Sequence, residues 1–313
     1  MDEEQVSFQE EKPRPTLFTR LRSLSFLHFF LRNQALTRPL GHSPYVLLPI
    51  LATTVWFSGL TAVMLLWVGA GKPRYGPKVA SIAFISDIGG VNEGLFLSIC
   101  VVVITLYFSS VCLIRWLRWK GRLPENLGRK ERIYGYLAIV FCFMGCAGLF
   151  VLAKYNCYDY PTIHWGGTLV FIIGVALSAI FQTLEVWQLN KEHGERKHLK
   201  RNTYFKLAIV AGDLILATAF GLTYMYCHGQ AIATYGHTAS ECDDVSSKAA
   251  ILEWTIAYGL NLYFLTLAAD LWPAWKSNKR FLERAEVPGK EGQNEVSDLR
   301  RSGVWPPCIV QSA

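Results

Sequence analysis

Six apolar blocks of about 20 residues, separated by polar segments, constrain the fold of this chain more than any other feature. An α-helix of that length crosses a hydrocarbon core of roughly 30 Å. Only 18% of the 313 residues are charged, below the roughly 25% typical of soluble domains. The blocks predict an all-α, polytopic membrane protein with a bundle of six transmembrane helices, at Tyr45–Val68, Gly94–Ile114, Ile133–Ala153, Gly167–Leu189, Phe205–Tyr226 and Ile251–Trp272.

Lysine and arginine residues predict the orientation of this bundle. Both tails and the second and fourth connections between spans carry 26 of them, against 5 in the first, third and fifth connections. Cytoplasmic loops of membrane proteins carry the excess of Lys and Arg. Both termini are therefore predicted to be cytoplasmic, and the other three connections to face the lumen or the exterior. The formal charge of +7 indicates membrane topology here and not nucleic-acid binding.

The chain is predicted to have three parts. Residues 1–44 form a basic cytoplasmic tail, residues 45–275 the membrane domain, and residues 276–313 a polar, disordered cytoplasmic tail. Within the first tail, residues 17–31 place leucines at helical spacing beside two arginines. That pattern is typical of an amphipathic helix on the cytoplasmic leaflet, or of a poorly ordered basic segment.

A short apolar stretch, Ala83–Gly90, lies in the first connection, directly before the second span, and its two glycines would allow a tight entry into that helix. It is too short to cross a bilayer and too apolar for an ordinary solvated loop. Together with polar residues of the other non-cytoplasmic connections it predicts a candidate site comprising Phe84, Ser86, Asp87, Gly89, His164, Glu253 and Trp254. The acidic members would either line a polar pocket that faces lipid headgroups or cap helix N-termini.

Catalysis is the weaker interpretation of these residues. Asp87 and His164 would act as a general acid and base only if the fold made them adjacent. The sequence has no Gly-rich phosphate loop, no His-Glu-x-x-His, no Gly-x-Ser-x-Gly and no Cys-x-x-Cys. No catalytic residue, metal site or cofactor is predicted, and a non-catalytic role is favoured.

Ionisable and amide side chains inside the spans form a second group, because such residues are costly in a membrane. They are Glu185, Asp213, Asn261 and Asp270. The acidic ones lie toward the cytoplasmic side, where structural ion pairs are the favoured interpretation and a proton or cation relay the alternative. A relay needs carboxylates in line at several depths, and the middle of the membrane offers little beyond Asn261.

Three cysteines, Cys157, Cys227 and Cys242, lie in or beside the non-cytoplasmic connections. An oxidising compartment would pair two of them. Cys157 with Cys242 and Cys227 with Cys242 are both compatible with the sequence, which does not choose between them.

Small residues in the fifth span, such as Ala208 with Gly212 and Ala217 with Gly221, predict close packing of that helix on a neighbour.

The hexapeptide Phe84–Gly89, FISDIG, is similar to a Phe-Ile-Ser-Asp-x-Gly motif in the first lumenal loop of a eukaryotic membrane family, although that family usually has Pro at the position of Ala83. His164 before the fourth span, and Glu253-Trp254 at the start of a span that leads to Asp270, also resemble that family. It comprises the damage-regulated autophagy modulators, the fungal suppressor-of-four-kinase proteins and the post-GPI-attachment factor, and shares a CWH-like N-terminal domain.

The tails make the chain most similar to the fungal suppressor-of-four-kinase branch. The resemblance implies a non-catalytic regulator of phosphoinositide signalling or phospholipid asymmetry in the plasma membrane. Its implied partners are anionic phospholipids at the cytoplasmic basic clusters and a membrane or kinase-complex protein, without nucleic acid. The alternatives are a factor or enzyme subunit in GPI-anchor lipid remodelling in the ER or Golgi, and an autophagy modulator in the lysosome or vacuole.

Overall fold

The computed structural model describes residues 44–120, 123, 128–192, 197–234 and 236–286. Within these ranges the chain forms a single 3-10 turn, Pro44–Val46, and seven α-helices. The helices are α1 Leu47–Gly69, α2 Ile85–Val91, α3 Glu93–Trp119, α4 Arg129–Lys154, α5 Pro161–Glu192, α6 Lys197–Cys227 and α7 Ala239–Glu286.

All of these helices except the short α2 are long and apolar enough to cross a membrane. The prediction of an all-α, six-span membrane protein is therefore confirmed. The cytoplasmic location of the termini stays a prediction, and the proposed amphipathic segment at 17–31 lies outside the described residues.

The last helix differs most from its predicted bounds. α7 begins at Ala239, upstream of the predicted Ile251, and continues to Glu286, so the segment after 276 begins as helix and not as disordered chain. Its 48 residues measure about 72 Å at 1.5 Å per residue, more than twice the hydrocarbon thickness. α7 therefore extends beyond the membrane.

The six spanning helices form a closed ring. Neighbours around the ring are α1, α3, α4, α5, α6 and α7, and α7 packs back on α1. The indole Nε1 of Trp56 closes this last contact by donating a hydrogen bond to the carbonyl of Ala257, at 2.8 Å. A hydrogen bond between two helices is favourable in the membrane interior, where no water competes for either group.

The closest helix crossing joins α4 to α5 through glycines. The position that a Cβ would take at Gly145 lies 2.8 Å from the backbone nitrogen of Val175, and that at Gly148 lies 2.8 Å from the carbonyl oxygen of Gly167. A Cβ at Gly174 would meet the backbone of Gly145 in the same way. Only residues without a Cβ permit this approach.

The predicted close packing of α6 through its small residues is wrong. Among the described residues, nothing beyond the local backbone of α6 itself lies within 4 Å of the Cβ position at Gly212 or Gly221, so both glycines face open space. Close contacts through small residues do occur in this bundle, but between α4 and α5 and not on α6.

A disulfide joins Cys227, at the end of α6, to Cys242, in the first turn of α7. It closes the last connection on itself, while Cys157 remains a thiol.

Candidate functional site

The two ends of the bundle differ in character. We call the end with the connections 70–84, 155–160 and 228–238 the motif end, because α2 lies there. We call the opposite end, where α3 and α5 end and α4 and α6 begin, the basic end.

The short helix α2 forms because its first backbone donors have partners. Helix N-termini leave their first N–H groups without intrahelical acceptors. The amide of Phe84 donates to Oδ2 of Asp87 at 3.1 Å, and the next amide, that of Ile85, donates to Oε2 of Glu253 at 2.7 Å. Two carboxylates, one local and one from α7, thus cap consecutive donors of the same helix.

Side chains from two further elements hold the motif in place. The indole Nε1 of Trp254 donates to the carbonyl of Ala83 at 3.1 Å. From the connection between α4 and α5, the hydroxyl of Tyr158 donates to the carbonyl of Asp87 at 3.1 Å. The thiol of Cys157 contacts the carbonyl of Ser86 at 3.4 Å. The motif is therefore fixed by α7 and by the third connection at once.

The apolar residues of the motif face the protein interior. Phe84 packs against Ala249 and Ala250 of α7 and against Phe220 and Tyr224 of α6. Ile88 is fully buried in the main core. The motif therefore fills the space between helix ends and does not lie flat on a lipid surface.

The two glycines of the motif allow α2 to approach side chains of its neighbours closely. A Cβ at Gly89 would lie 2.9 Å from the ring of Phe96, and a Cβ at Gly90 would lie 3.0 Å from the ring of Tyr158. Both residues are helical, so the expectation of a tight turn into the second span is replaced by a requirement for space.

Burial changes the acid–base properties of this site. It raises the pKa of Asp87 to about 6, against an opposing effect of the hydrogen bond from the Phe84 amide. Burial and the nearby Asp87 carboxylate raise the pKa of the Cys157 thiol to about 12. Cys157 is therefore protonated at neutral pH and is not an activated nucleophile.

The first connection is also attached to the start of α7. The amide of Ser81 donates to Oδ1 of Asp243 at 2.7 Å, and Arg74 forms an ion pair with Oδ2 of the same residue at 3.0 Å. The amide of Ala231 donates to the carbonyl of Lys78 at 2.8 Å. These contacts keep the loop before α2 in a defined position.

His164 does not join the contacts around α2 and lies instead against the end of α4. Its Nδ1 lies 2.9 Å from the carbonyl of Leu152 and 2.8 Å from the carbonyl of Tyr155. Both partners are acceptors, so Nδ1 carries a proton and donates it to the last carbonyls of α4. His164 thus caps a helix C-terminus, and its Nδ1 is not available to Asp87.

The structure therefore brings six of the seven predicted residues into one network: Phe84, Ser86, Asp87, Gly89, Glu253 and Trp254. Both carboxylates bind backbone amides, which is the arrangement expected of helix caps and not of an acid–base pair. No group of three or more His, Cys, Asp or Glu side chains suited to a metal ion occurs in the described part of the chain. Tyr158 was not identified from the sequence, where a tyrosine in a short loop carries no distinguishing signal.

Charged residues at the basic end form ion pairs between helices. Oε1 of Glu185 on α5 forms ion pairs with two arginines of α3. It lies 3.4 Å from Nη1 of Arg115 and 3.5 Å from Nε of Arg118. Lys206 on α6 is completely buried and pairs with Asp270 on α7. Sequence reasoning missed Arg118, although its spacing of three residues from Arg115 places both on one helix face.

The remaining intramembrane residues do not extend these ion pairs into a path. Asn261 uses its Nδ2 to bond the carbonyl of Tyr258 in its own helix, at 3.1 Å. Asp213 lies against Gly259, with Oδ1 2.5 Å from the Cβ position of that glycine. The carboxylates are thus distributed over separate contacts, which does not favour a proton or cation relay.

Comparison with known proteins agrees with this architecture. The family model described as "Frag1/DRAM/Sfk1/Cwh43P N-terminal domain" matches residues 44–274. "Protein sfk1" of Schizosaccharomyces pombe (strain 972 / ATCC 24843) is 24% identical over 231 residues. The match covers 74% of this chain and 64% of that relative, so it spans less than two thirds of the relative's length. No solved structure matches the chain. The matched region contains all six spans and the α2 motif, and the chain belongs to the Frag1/DRAM/Sfk1/Cwh43 family of membrane proteins, within which it fits the suppressor-of-four-kinase branch.

Proposed function

We propose that this protein is a non-catalytic membrane regulator of lipid organisation whose basic end meets an anionic cytoplasmic leaflet. The observation that carries the proposal is the unequal charge of the two bundle ends. Membership of the family supports a regulator in the membrane, and the charge distribution supports anionic phospholipid headgroups as its partners.

The basic end presents a dense set of cations to its surroundings. Seven Lys and Arg side chains there are exposed: Lys120, Arg129, Lys130, Arg132, Lys191, Lys200 and Arg201. They are distinct from the buried cations of the ion pairs with Glu185 and Asp270. Each Lys or Arg close to an anionic leaflet contributes about 1 kcal/mol of attraction.

The motif end has balanced charge instead. Acidic residues at this end offset its exposed Lys and Arg side chains. Two of those cations form ion pairs, Arg74 with Asp243 and Lys248 with Asp244. An end of this kind has no preference for anionic lipid. The difference supports the cytoplasmic orientation of the basic end as part of the same proposal.

The contacts at the motif end support the absence of catalysis. One carboxylate oxygen of Asp87 and one of Glu253 each accept a backbone amide of the α2 N-terminus, and Nδ1 of His164 contacts the carbonyls of Leu152 and Tyr155 at the end of α4. These side chains stabilise the fold and leave no assembled acid–base pair. In the proposed function these side chains hold the bundle in one arrangement.

Anionic lipid added to the detergent-solubilised protein tests the proposal. Phosphatidylserine is expected to raise the thermal unfolding temperature more than phosphatidylcholine, because a ligand that binds only the folded state stabilises it. Reversing charge at the basic end, in Lys130→Glu/Arg132→Glu, is expected to reduce this effect, and more so at low salt. The matched control, Lys72→Glu/Lys154→Glu at the motif end, is expected to retain it.

Two results would contradict the proposal. Equal stabilisation by both lipids would contradict anionic lipid as the partner. So would an equal loss of the phosphatidylserine effect in the control variant. Chemical conversion of a lipid by the purified protein in liposomes would remove the non-catalytic role.

The plasma membrane is the compartment that we propose, since its cytoplasmic leaflet is rich in anionic lipid. A tagged copy found only in the Golgi or the vacuole would contradict this and would favour the GPI-remodelling or autophagy alternatives. Recruitment of a phosphoinositide kinase complex stays a proposal that rests on the family resemblance.

A further inference from the structure

The interior of the helix ring contains a small apolar cavity, which we call the central cavity. Side chains of α1, α3, α4, α5 and α7 line it, among them Trp56, Val103, Leu149 and Leu260, and no polar atom of the described residues faces it. Tyr107, also in the lining, lies 14 residues after the start of α3 and 12 before its end. About 20 Å of helix therefore separates it from either end. The central cavity thus lies near the middle of the membrane.

The size and lining of the central cavity select its occupant. Its enclosed volume is about 20 Å³, a little more than one water-sized group needs. Apolar cavities stay dry and take apolar ligands, so water is not a suitable occupant. The molecules that surround the protein at this depth are hydrocarbon chains, because headgroups lie about 15 Å from the centre of a core roughly 30 Å thick. The end of one acyl chain fits, whereas a helix with a diameter of about 10 Å does not.

Helix α6 leaves the ring partly uncovered in the half near the motif end. In its half near the basic end, Thr203, Lys206 and Val210 are buried, and their spacing places them on one side of the helix. From residue 211 to residue 226, no side chain of α6 is buried. α6 stays attached to α7 over this stretch through the disulfide at its end. The missing cover is therefore on the side of α5, its other neighbour in the ring.

The same half of α5 has no buried side toward α6. Within residues 161–177 the buried positions are His164, Gly167 and Gly174, and all three contact α4. α5 and α6 thus cover each other only toward the basic end. We call the space between residues 165–177 of α5 and residues 211–226 of α6 the lateral cleft. It opens toward lipid in the half of the membrane at the motif end.

The central cavity lies at the inner end of the lateral cleft. Four of its lining residues keep some exposure: Ile104, Phe171, Val175 and Leu260. Three of these belong to α5 and α7, which flank α6 in the ring, and α6 itself contributes no residue to the lining. The lining is therefore open on the side where α6 leaves the ring uncovered.

We propose that a phospholipid of the leaflet at the motif end inserts one acyl chain through the lateral cleft, and that the central cavity holds the end of this chain. The 16 residues of α6 along the cleft measure about 24 Å, so the cleft reaches from the motif end to the depth of the cavity. The inference rests on the proposed function in taking a lipid as the ligand. It does not depend on an anionic headgroup, because the motif end has balanced charge.

Photoreactive phosphatidylcholine tests the inference in the full-length protein. The lipid carries a diazirine at the end of one acyl chain, and the protein is irradiated in phosphatidylcholine vesicles before its adducts are mapped by peptide mass spectrometry. Adducts are expected on Val103 and Leu149, which line the cavity and are 2% and 6% exposed. A lipid with the diazirine next to the headgroup is expected to lack them. No anionic lipid is present, so a failure here leaves the phosphatidylserine experiment unaffected, and the reverse also holds.

Two leucines of α7 provide a matched pair of variants. Leu260→Trp fills the opening of the central cavity and is expected to lose most of the adducts on Val103 and Leu149. Leu262→Trp is the control, because Leu262 is 50% exposed and points away from the cavity on another side of the helix. The control is expected to keep the adducts, and thermal unfolding verifies that each variant is folded. The adducts of wild type do not depend on either variant and decide the inference by themselves.

Three results would overturn the inference. The first is that the chain-end diazirine marks wild type only at exposed positions such as Val140 and Phe143. The second is an equal loss of the cavity adducts in Leu260→Trp and Leu262→Trp. The third is that a photoreactive free fatty acid marks Val103 and Leu149 while the phospholipid does not, because this would assign the cavity to a different ligand.

Discussion

At the scale of single residues, Asp87 caps the N-terminus of α2 and also links that helix to the connection between α4 and α5. Its side chain binds the amide of Phe84, and its carbonyl accepts the hydroxyl of Tyr158. Asp87→Ala is expected to lower the free energy of unfolding by about 1 kcal/mol, the usual cost of losing an N-terminal cap. Asp87→Asn keeps an acceptor oxygen and is expected to lose less. Thermal unfolding in detergent compares the two, and equal losses would contradict a capping role.

The same residue predicts how stability depends on pH. Burial raises the pKa of Asp87 from an ordinary 3.8 to about 6, so the folded state binds a proton more tightly than the unfolded state. Between about pH 4 and pH 6 this group therefore makes the protein less stable as pH rises. On acidification from pH 7 to pH 5, wild type is expected to gain unfolding temperature relative to Asp87→Asn. A constant difference between the two proteins over this range would show that Asp87 does not titrate there.

At the scale of helices, α4 and α5 can cross closely only because the glycines at their contact have no Cβ. Gly174→Ala would place a Cβ well inside 3.0 Å of the backbone nitrogen of Gly145, so the two backbones must separate. A loss of about 1–3 kcal/mol in unfolding free energy is expected, as for other overpacked sites. Gly166→Ala is the control in the same helix, because nothing lies within 4 Å of its Cβ position. Alanine favours helix over glycine by up to about 1 kcal/mol, so this control is expected to be neutral or stabilising, and a comparable loss in both variants would contradict the crossing.

The disulfide between α6 and α7 gives a second prediction at this scale. Reduction of the denatured protein is expected to expose two additional thiols to a labelling reagent, those of Cys227 and Cys242. A bond across 15 residues contributes about 3 kcal/mol to stability. Cys242→Ser is expected to abolish the increase in labelling, and Cys157→Ser to preserve it. Loss of the increase in Cys157→Ser would instead assign the bond to Cys157.

Hydropathy was sufficient to predict the six spanning helices, because each needs only a local apolar block. The contacts that define the site were not local. Glu253 reaches the amide of Ile85 across 168 positions of sequence, and no spacing rule connects two such residues. The same reason explains why the sequence left the partner of Cys242 open, and why the glycine contacts were expected on α6 and occur between α4 and α5.

At the scale of the whole molecule, a closed ring of helices has a balanced motif end and a cationic basic end. The ring is tied together by contacts between distant parts of the chain, such as Trp56 with Ala257 and Lys206 with Asp270. In the proposed function, the exposed cations of the basic end attract anionic lipid through long-range electrostatics, which salt would weaken. This arrangement suits a protein that influences the position of lipids without changing their chemistry.

The proposed role in lipid organisation is tested most directly in cells that lack the protein, by measuring two properties of the same membrane. One is the exposure of aminophospholipids on the outer leaflet, and the other is the molecular composition of total lipid, including the lipid of GPI anchors. Altered leaflet exposure with unchanged lipid composition is expected, and wild type is expected to restore normal exposure more fully than Lys130→Glu/Arg132→Glu. Altered lipid species with normal leaflet exposure would contradict it and would indicate a role in a lipid-converting reaction.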